Sequence, residues 1–236
     1  MHRYLLLRNP GHNRVYYLES EKLALAELIL TTKRFEQSCS DIESMDIAGI
    51  NYLSFTVEHE LGETDMVWLS NLSFIFALYH QSTDTADLPL HPVELTPHSY
   101  VDPKISMLLK YSGKTNEIFT RMMINVGLVS SDFGLDDSIQ LLDPVSGKGT
   151  TLFEGAIRGF DVTGIESERK MVHETTVFFK RFLEQEKYKH DLSKHAMYSS
   201  STGSEATIQL FEYARDKQDF KLETTRKHLA LIAGNA

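Results

Sequence analysis

Residues 139–167, IQLLDPVSGKGTTLFEGAIRGFDVTGIES, hold the residues best placed to do chemistry in this chain. An apolar run from Ile139 to Leu142 leads into Asp143-Pro144. Ser146, Gly147, Lys148 and Gly149 then make a tight turn before a helix that begins at Thr150. Glycine lets the backbone approach a ligand with no Cβ in the way. A helix start offers free N–H groups to a negative group such as a carboxylate. A second strand, Asp161 to Ile165, delivers Glu166 19 residues after Gly147. A carboxylate there can accept hydrogen bonds from two ribose hydroxyls. The implied chemistry is binding of a ligand that contains a nucleoside.

Three ligand classes use such a layout. A dinucleotide fold needs G-x-G-x-x-G, but position 152 is Leu. A phosphate-binding P-loop needs G-K-[ST], but Lys148 is followed by Gly149. The second GK pair, in Ser112-Gly113-Lys114-Thr115, lacks its first glycine because position 108 is Leu. The third class fits. Asp143, Pro144, Gly147, Gly149, Thr150 and Glu154 resemble motif I of the class I S-adenosylmethionine-dependent methyltransferases, in the D-P-x-x-G-x-G-T-x-x-x-E form of RNA and DNA base methyltransferases. Ser146 and Lys148 fall at its variable positions. Gly164-Ile165-Glu166 stands where the family has Gly-x-Asp, and Glu keeps the carboxylate.

The resemblance implies S-adenosyl-L-methionine as cofactor. It implies cofactor contacts by Asp143, Pro144, Ser146, Gly147, Gly149, Thr150 and Glu166. Two further segments can be laid on the family. Ser112 to Val126 sits where the family has the helix before motif I, and Lys114, Thr115 and Phe119 are its candidates for the methionine end of the cofactor. The plain alternative there is a helix cap at Thr115 above a core face. Leu229 to Ala236 resembles the third strand and the turn that holds the adenine. Asn235 stands where Asp is common, and its side chain can accept a hydrogen bond from the adenine amino group. A simple terminal strand is the alternative. Residues 23–28 (LALAEL) and 70–80 (SNLSFIFALYH) resemble short stretches of the N-terminal region of tRNA guanine-N2 methyltransferases.

Base methyltransferases grip the target amino group with D/N-P-P-Y/F after the fourth strand. That motif is absent; Asn9-Pro10 lacks the second Pro and the aromatic. The chain is therefore expected to be part of a longer protein, truncated after the third sheet strand, with RNA reached through the full-length protein. A three-strand sheet leaves an edge to cover, so a homodimer is expected. The resemblance does not by itself choose among RNA, DNA, protein and small-molecule acceptors, and it names no catalytic residue. A non-catalytic methyltransferase-like binding or assembly module is the second reading.

Elements of alternating type must position these residues. Strands are expected at 2–8, Val15 to Tyr17, Ile50 to Val57, Ile139 to Leu142, Asp161 to Ile165 and His228 to Ala233. Helices are expected at Glu19 to Lys33, Met66 to Tyr79, Asn116 to Val126, Thr150 to Arg158, Arg169 to Lys187, Glu205 to Arg215 and Lys221 to Arg226. His190 to His195 reads as a loop. Pro89, Pro92, Pro97 and Pro103, four of the six prolines, mark a linker. The domains are then an α+β domain at 1–85, a Pro-rich linker at 86–105 and a partial cofactor-binding domain at 106–236. The fold class expected is α/β: a partial Rossmann-like methyltransferase sheet preceded by a smaller α+β N-terminal domain.

Composition narrows the partners. The 236 residues are 42% hydrophobic and 24% charged, ordinary for a packed chain. No stretch approaches the ~20 apolar residues of a membrane helix, so no membrane partner is expected. The net charge is −9, and residues 1–100 hold 6 Lys+Arg against 14 Asp+Glu. Bulk electrostatics do not attract nucleic acid to such a surface, so any RNA contact must be local. Cys39 is the single cysteine, and the ten His show no ligand spacing, so neither a disulfide framework nor a metal site is expected. A cytoplasmic location is the simplest reading. Trp68, Phe178, Phe179 and Phe182 read as core.

Overall fold

The structure is a computed structural model that describes the chain except residues 11–13, 83–88, 110, 112, 136, 200–203 and 235–236. It is mixed α/β with two sheets of five strands each. The chain divides into two compact units. The first comprises Met1–His98 and Arg121–Phe133, and the second Ser99–Thr120 and Gly134–Ala236.

The first unit begins with β1 (His2–Arg8), the short helix α1 (Arg14–Glu19) and α2 (Glu21–Thr31). It continues with β2 (Ser40–Ile47), β3 (Ile50–Val57), α3 (Glu63–Ser70), β4 (Ile75–Ser82) and β5 (Leu90–Val93). The sheet order is β2-β3-β1-β4-β5, and every pair is antiparallel. The first four strands with their helices make a split βαβ arrangement, in which β1 lies between β3 and β4. Leu5, Phe55, Leu28 and Leu69 are fully buried, one from each of β1, β3, α2 and α3. Trp68 is buried as well.

Three expectations for this unit need correction. Val15 to Tyr17 is not a strand but lies inside α1. A run of three residues, Val15-Tyr16-Tyr17, is too short to impose a period of two. Met66 to Tyr79 is not one helix. α3 stops at Ser70, Asn71 closes it by donating Nδ2 to Val67 O at 2.7 Å, and the chain re-emerges as β4. Apolar residues dominate on both sides of the break, so hydropathy does not mark where helix gives way to strand. The proline-rich stretch is not all linker: β5 pairs with β4, and Pro92 sits opposite Tyr79. Proline is tolerated there because β5 is an edge strand. β2 carried no clear sequence signal; its burial alternates only weakly.

The second unit holds the short helix α4 (Lys104–Leu108) and the start of α5 (Glu117–Val129). β6 (Gln140–Asp143), α6 (Thr150–Ile157), β7 (Asp161–Glu166) and α7 (Arg169–Gln185) follow. β8 (Lys189–Ser199), β9 (Ser204–Ala214) and β10 (Lys227–Ala233) complete it. Sheet order is β6-β7-β10-β9-β8. β6, β7 and β10 run parallel, as their alternation with helices predicts, whereas β9 and β8 are antiparallel. α6 and α7 meet on one face of the sheet, where Phe153 lies 5.4 Å from Phe178 and 5.9 Å from Phe179 between ring centroids.

The stretch from β8 to β10 overturns further expectations. Glu205 to Arg215 is not helical; it falls in β9 and the bend beyond it. Phe211 and Tyr213 are both fully buried and both pack on Phe179, at 5.0 and 5.4 Å. Residues two apart on one face are the mark of a strand. His190 to His195 is not a loop but the middle of β8, an edge strand whose exposed polar side chains mimic loop composition. Lys221 to Arg226 is not a helix; only Asp219–Lys221 forms a single 3-10 turn. The sheet does not stop at a third strand either. β9 covers the outer edge of β10, and β8 becomes the edge of the sheet on that side.

Among the described residues no helix is long and apolar enough to cross a membrane.

Candidate functional site

The site lies at the carboxyl ends of β6 and β7. β6 ends at Asp143, whose Oδ1 accepts Val145 N at 3.0 Å and starts the turn. Pro144 and Val145 face outward. Ser146 turns inward and is buried. Its backbone N donates to Ile165 O at 2.9 Å, and its Oγ donates to the same carbonyl at 3.2 Å. One side chain thus ties the bend of the first parallel strand to the end of the second.

The close approach explains Gly164 on β7. A Cβ there would stand 2.6 Å from Leu152 Cδ1 and 2.8 Å from Ser146 Cβ, so any side chain would push the bend off the sheet. Gly149 caps α6 with φ +85, in the left-handed region that favours glycine. It is also crowded: an added Cβ would lie 3.3 Å from Thr175 Cγ2. Gly147, φ +53, is the opposite case, since a Cβ there meets nothing within 4 Å. The bend is therefore packed from below at Gly149 and open above at Gly147.

Glu166 faces this opening. Its Oε2 accepts Gly147 N at 3.0 Å, while Oε1 accepts Glu168 N at 2.8 Å and Ser167 Oγ at 3.2 Å. An ionised carboxylate offers about four lone-pair sites, so Oε2 keeps capacity for a further donor. β10 closes the far side, where Gly234 N donates to Glu166 O at 3.0 Å. α6 begins without a side-chain cap, which leaves its first-turn N–H groups facing the bend. Thr150, its first residue, is buried, and Glu154 is buried within the helix.

Lys148, between the two glycines, reaches α7. Its Nζ is 2.6 Å from Glu174 Oε2. The ammonium holds the Glu174 carboxyl below the usual carboxylate range. The same Nζ lies 5.1 Å from the centroid of the Tyr111 ring, and Tyr111 Oη is 3.3 Å from Thr150 Oγ1.

The structure thus brings Asp143, Pro144, Ser146, Gly147, Gly149, Thr150 and Glu166 into one bend-and-carboxylate arrangement. Asn235 lies outside the described residues, as does Ser112. Thr115 is exposed and does not cap α5. Asn116 does, its Oδ1 accepting Ile118 N at 2.9 Å and Phe119 N at 3.1 Å. Lys114 donates to Ser106 O and pairs with Glu117 at 3.4 Å. Tyr111, Glu174 and Thr175 escaped the sequence reading. Tyr111 is 39 residues from its partner Thr150, and no spacing rule links them.

No family model matches this chain, and no curated protein sequence matches it.

Proposed function

We propose that this chain is the cofactor-binding portion of an S-adenosylmethionine-dependent methyltransferase that modifies an RNA base. One observation carries the reading. Glu166 Oε2 stands 3.0 Å from Gly147 N, so the acid of the second parallel strand and the open glycine of the first meet at one point. A side chain at 147 would project into that opening. Its absence and the neighbouring carboxylate fit an adenosyl group.

The bound sulfonium compound supplies an activated methyl group; this chain's residues hold it. Glu166 accepts the ribose hydroxyls. The uncapped start of α6, with Thr150, receives the carboxylate of the methionine end. Asp143, Pro144 and Ser146 shape the bend, and Gly147 and Gly149 keep it clear. Asn235 toward the adenine and Thr115 toward the methionine end complete the proposed set. Fixing the donor in one pose lowers the barrier by alignment, because an in-line displacement tolerates little misplacement. The choice of an RNA base rests on the likeness of residues 143–154 to base methyltransferases and on the two N-terminal stretches. A cytoplasmic place of action accompanies it.

Calorimetric titration of the whole chain with S-adenosylhomocysteine tests the proposal. Binding in the micromolar range is expected. A folded sample that evolves no binding heat and shows no shift in its melting would overturn it, and would favour the non-catalytic binding module instead.

A further inference from the structure

The β8–β9 hairpin stands above the rim of the sheet at the same end as the candidate site. β10 pairs with β9 only up to Ala233 opposite Thr207. The β8–β9 ladder continues for three more pairs, Met197 with Ala206, Tyr198 with Glu205 and Ser199 with Ser204. β10 runs parallel to β7, and Ala233 lies opposite Glu166. The overhang therefore rises on the side where Glu166 and the glycine bend lie.

Three residues align across this overhang. Ala206 and Met197 are directly opposed and share a face. Gly234 continues the row on β10, for a Cβ built on it would stand 3.1 Å from Ala206 Cβ. From Glu166 to Ala206 is two strand spacings, about 10 Å, and Gly234 lies between them. Met197 is 56% exposed at the end of the row. A flexible thioether held at a rim is suited to packing against a flat aromatic edge.

We propose that the overhanging end of the hairpin, Ala206 with Met197 opposite it, is the wall that the base of the bound nucleoside packs against. This rests on the methyltransferase reading above. A ribose held at Glu166 points its base either back over β6 or outward across Gly234. The glycine bend and the start of α6 occupy the β6 side, so the base goes outward and meets the hairpin.

The test is calorimetry on the whole chain with two probes, S-adenosylhomocysteine and adenosine. Both contain the base, and only the first contains the amino-acid end. Ala206→Leu fills the space over Gly234 and should weaken both probes by roughly tenfold. Met197→Ala removes the contact and should weaken both by about threefold. Tyr198→Ala is the control. Tyr198 is 72% exposed and points to the opposite face, so binding should stay within about twofold. Circular dichroism checks that each variant is folded. Wild-type-like binding by both Ala206→Leu and Met197→Ala would overturn the wall while leaving the cofactor reading intact. Equal losses in Tyr198→Ala and Met197→Ala would also overturn it, since the effect would then belong to hairpin folding. If the wild-type chain binds neither probe, the methyltransferase reading itself falls, and the wall with it.

Discussion

Glu166 holds its neighbours before it holds any ligand. Three hydrogen bonds from Gly147 N, Glu168 N and Ser167 Oγ fix the carboxylate over the bend. Pre-fixed side chains lose less freedom when a ligand arrives. Glu166→Gln keeps the shape but replaces one acceptor oxygen with a donor. A hydrogen bond to a charged group is worth roughly 1.5–3 kcal/mol, so the variant should bind S-adenosylhomocysteine about 10–100-fold more weakly, as read by calorimetry. Unchanged affinity would separate Glu166 from the ribose. The residues of the bend were legible in the sequence because tight turns and helix starts are local demands. Tyr111, Glu174 and Thr175 were not. Each meets the bend through tertiary packing, and a tyrosine or threonine has no spacing that announces such a role.

α5 shows how an element is finished by residues far from it. Arg34 Nη2 donates to Ser131 O at 2.9 Å, to Leu128 O at 3.4 Å and to Phe133 O. Its guanidinium lies 5.3 Å from the centroid of the Trp68 ring. A cation at a helix carboxyl end satisfies orphan carbonyls and opposes the helix dipole. Arg34→Ala should cost about 1–3 kcal/mol, measured by urea unfolding. Amide exchange should quicken first over residues 126–133; protection there equal to wild type would refute the capping role. Elements whose burial differs between faces, such as β10 and α7, could be placed from sequence. Other elements were misplaced. β9 looked helical, β8 looked like a loop, and the turn from α3 to β4 was hidden in one apolar run.

Stability of the whole chain should carry a pH signature from the first unit. Glu27 is 1% exposed. Its Oε1 accepts Ser73 N at 3.0 Å and Asn125 Nδ2 at 2.8 Å, and its Oε2 accepts Ser73 Oγ at 2.5 Å. Burial nonetheless dominates and pushes its carboxyl above the ordinary value of 4.5. The folded state then holds its proton to higher pH than the unfolded state. This contribution is fully present below 4.5 and is lost as pH rises through the folded value. Glu27→Gln should flatten this part of the pH–stability curve. Trp68, the single tryptophan, lies in the same unit and reports its unfolding by fluorescence. Identical curves for the two proteins would show that Glu27 titrates alike in both states.

What the sequence determined by itself was the parallel core of the second unit: β6, α6, β7, α7 and β10 in that order, with a glycine bend and an acid on adjacent strands. These follow from periodicity and turn chemistry, which act over a few residues. Tertiary structure alone decided that a hairpin inserted before β10 extends the sheet, that β5 belongs to the first sheet, and which distant side chains meet the bend. Pairing across a sheet depends on which edges remain open when the chain collapses, and that is not written in the local order of residues.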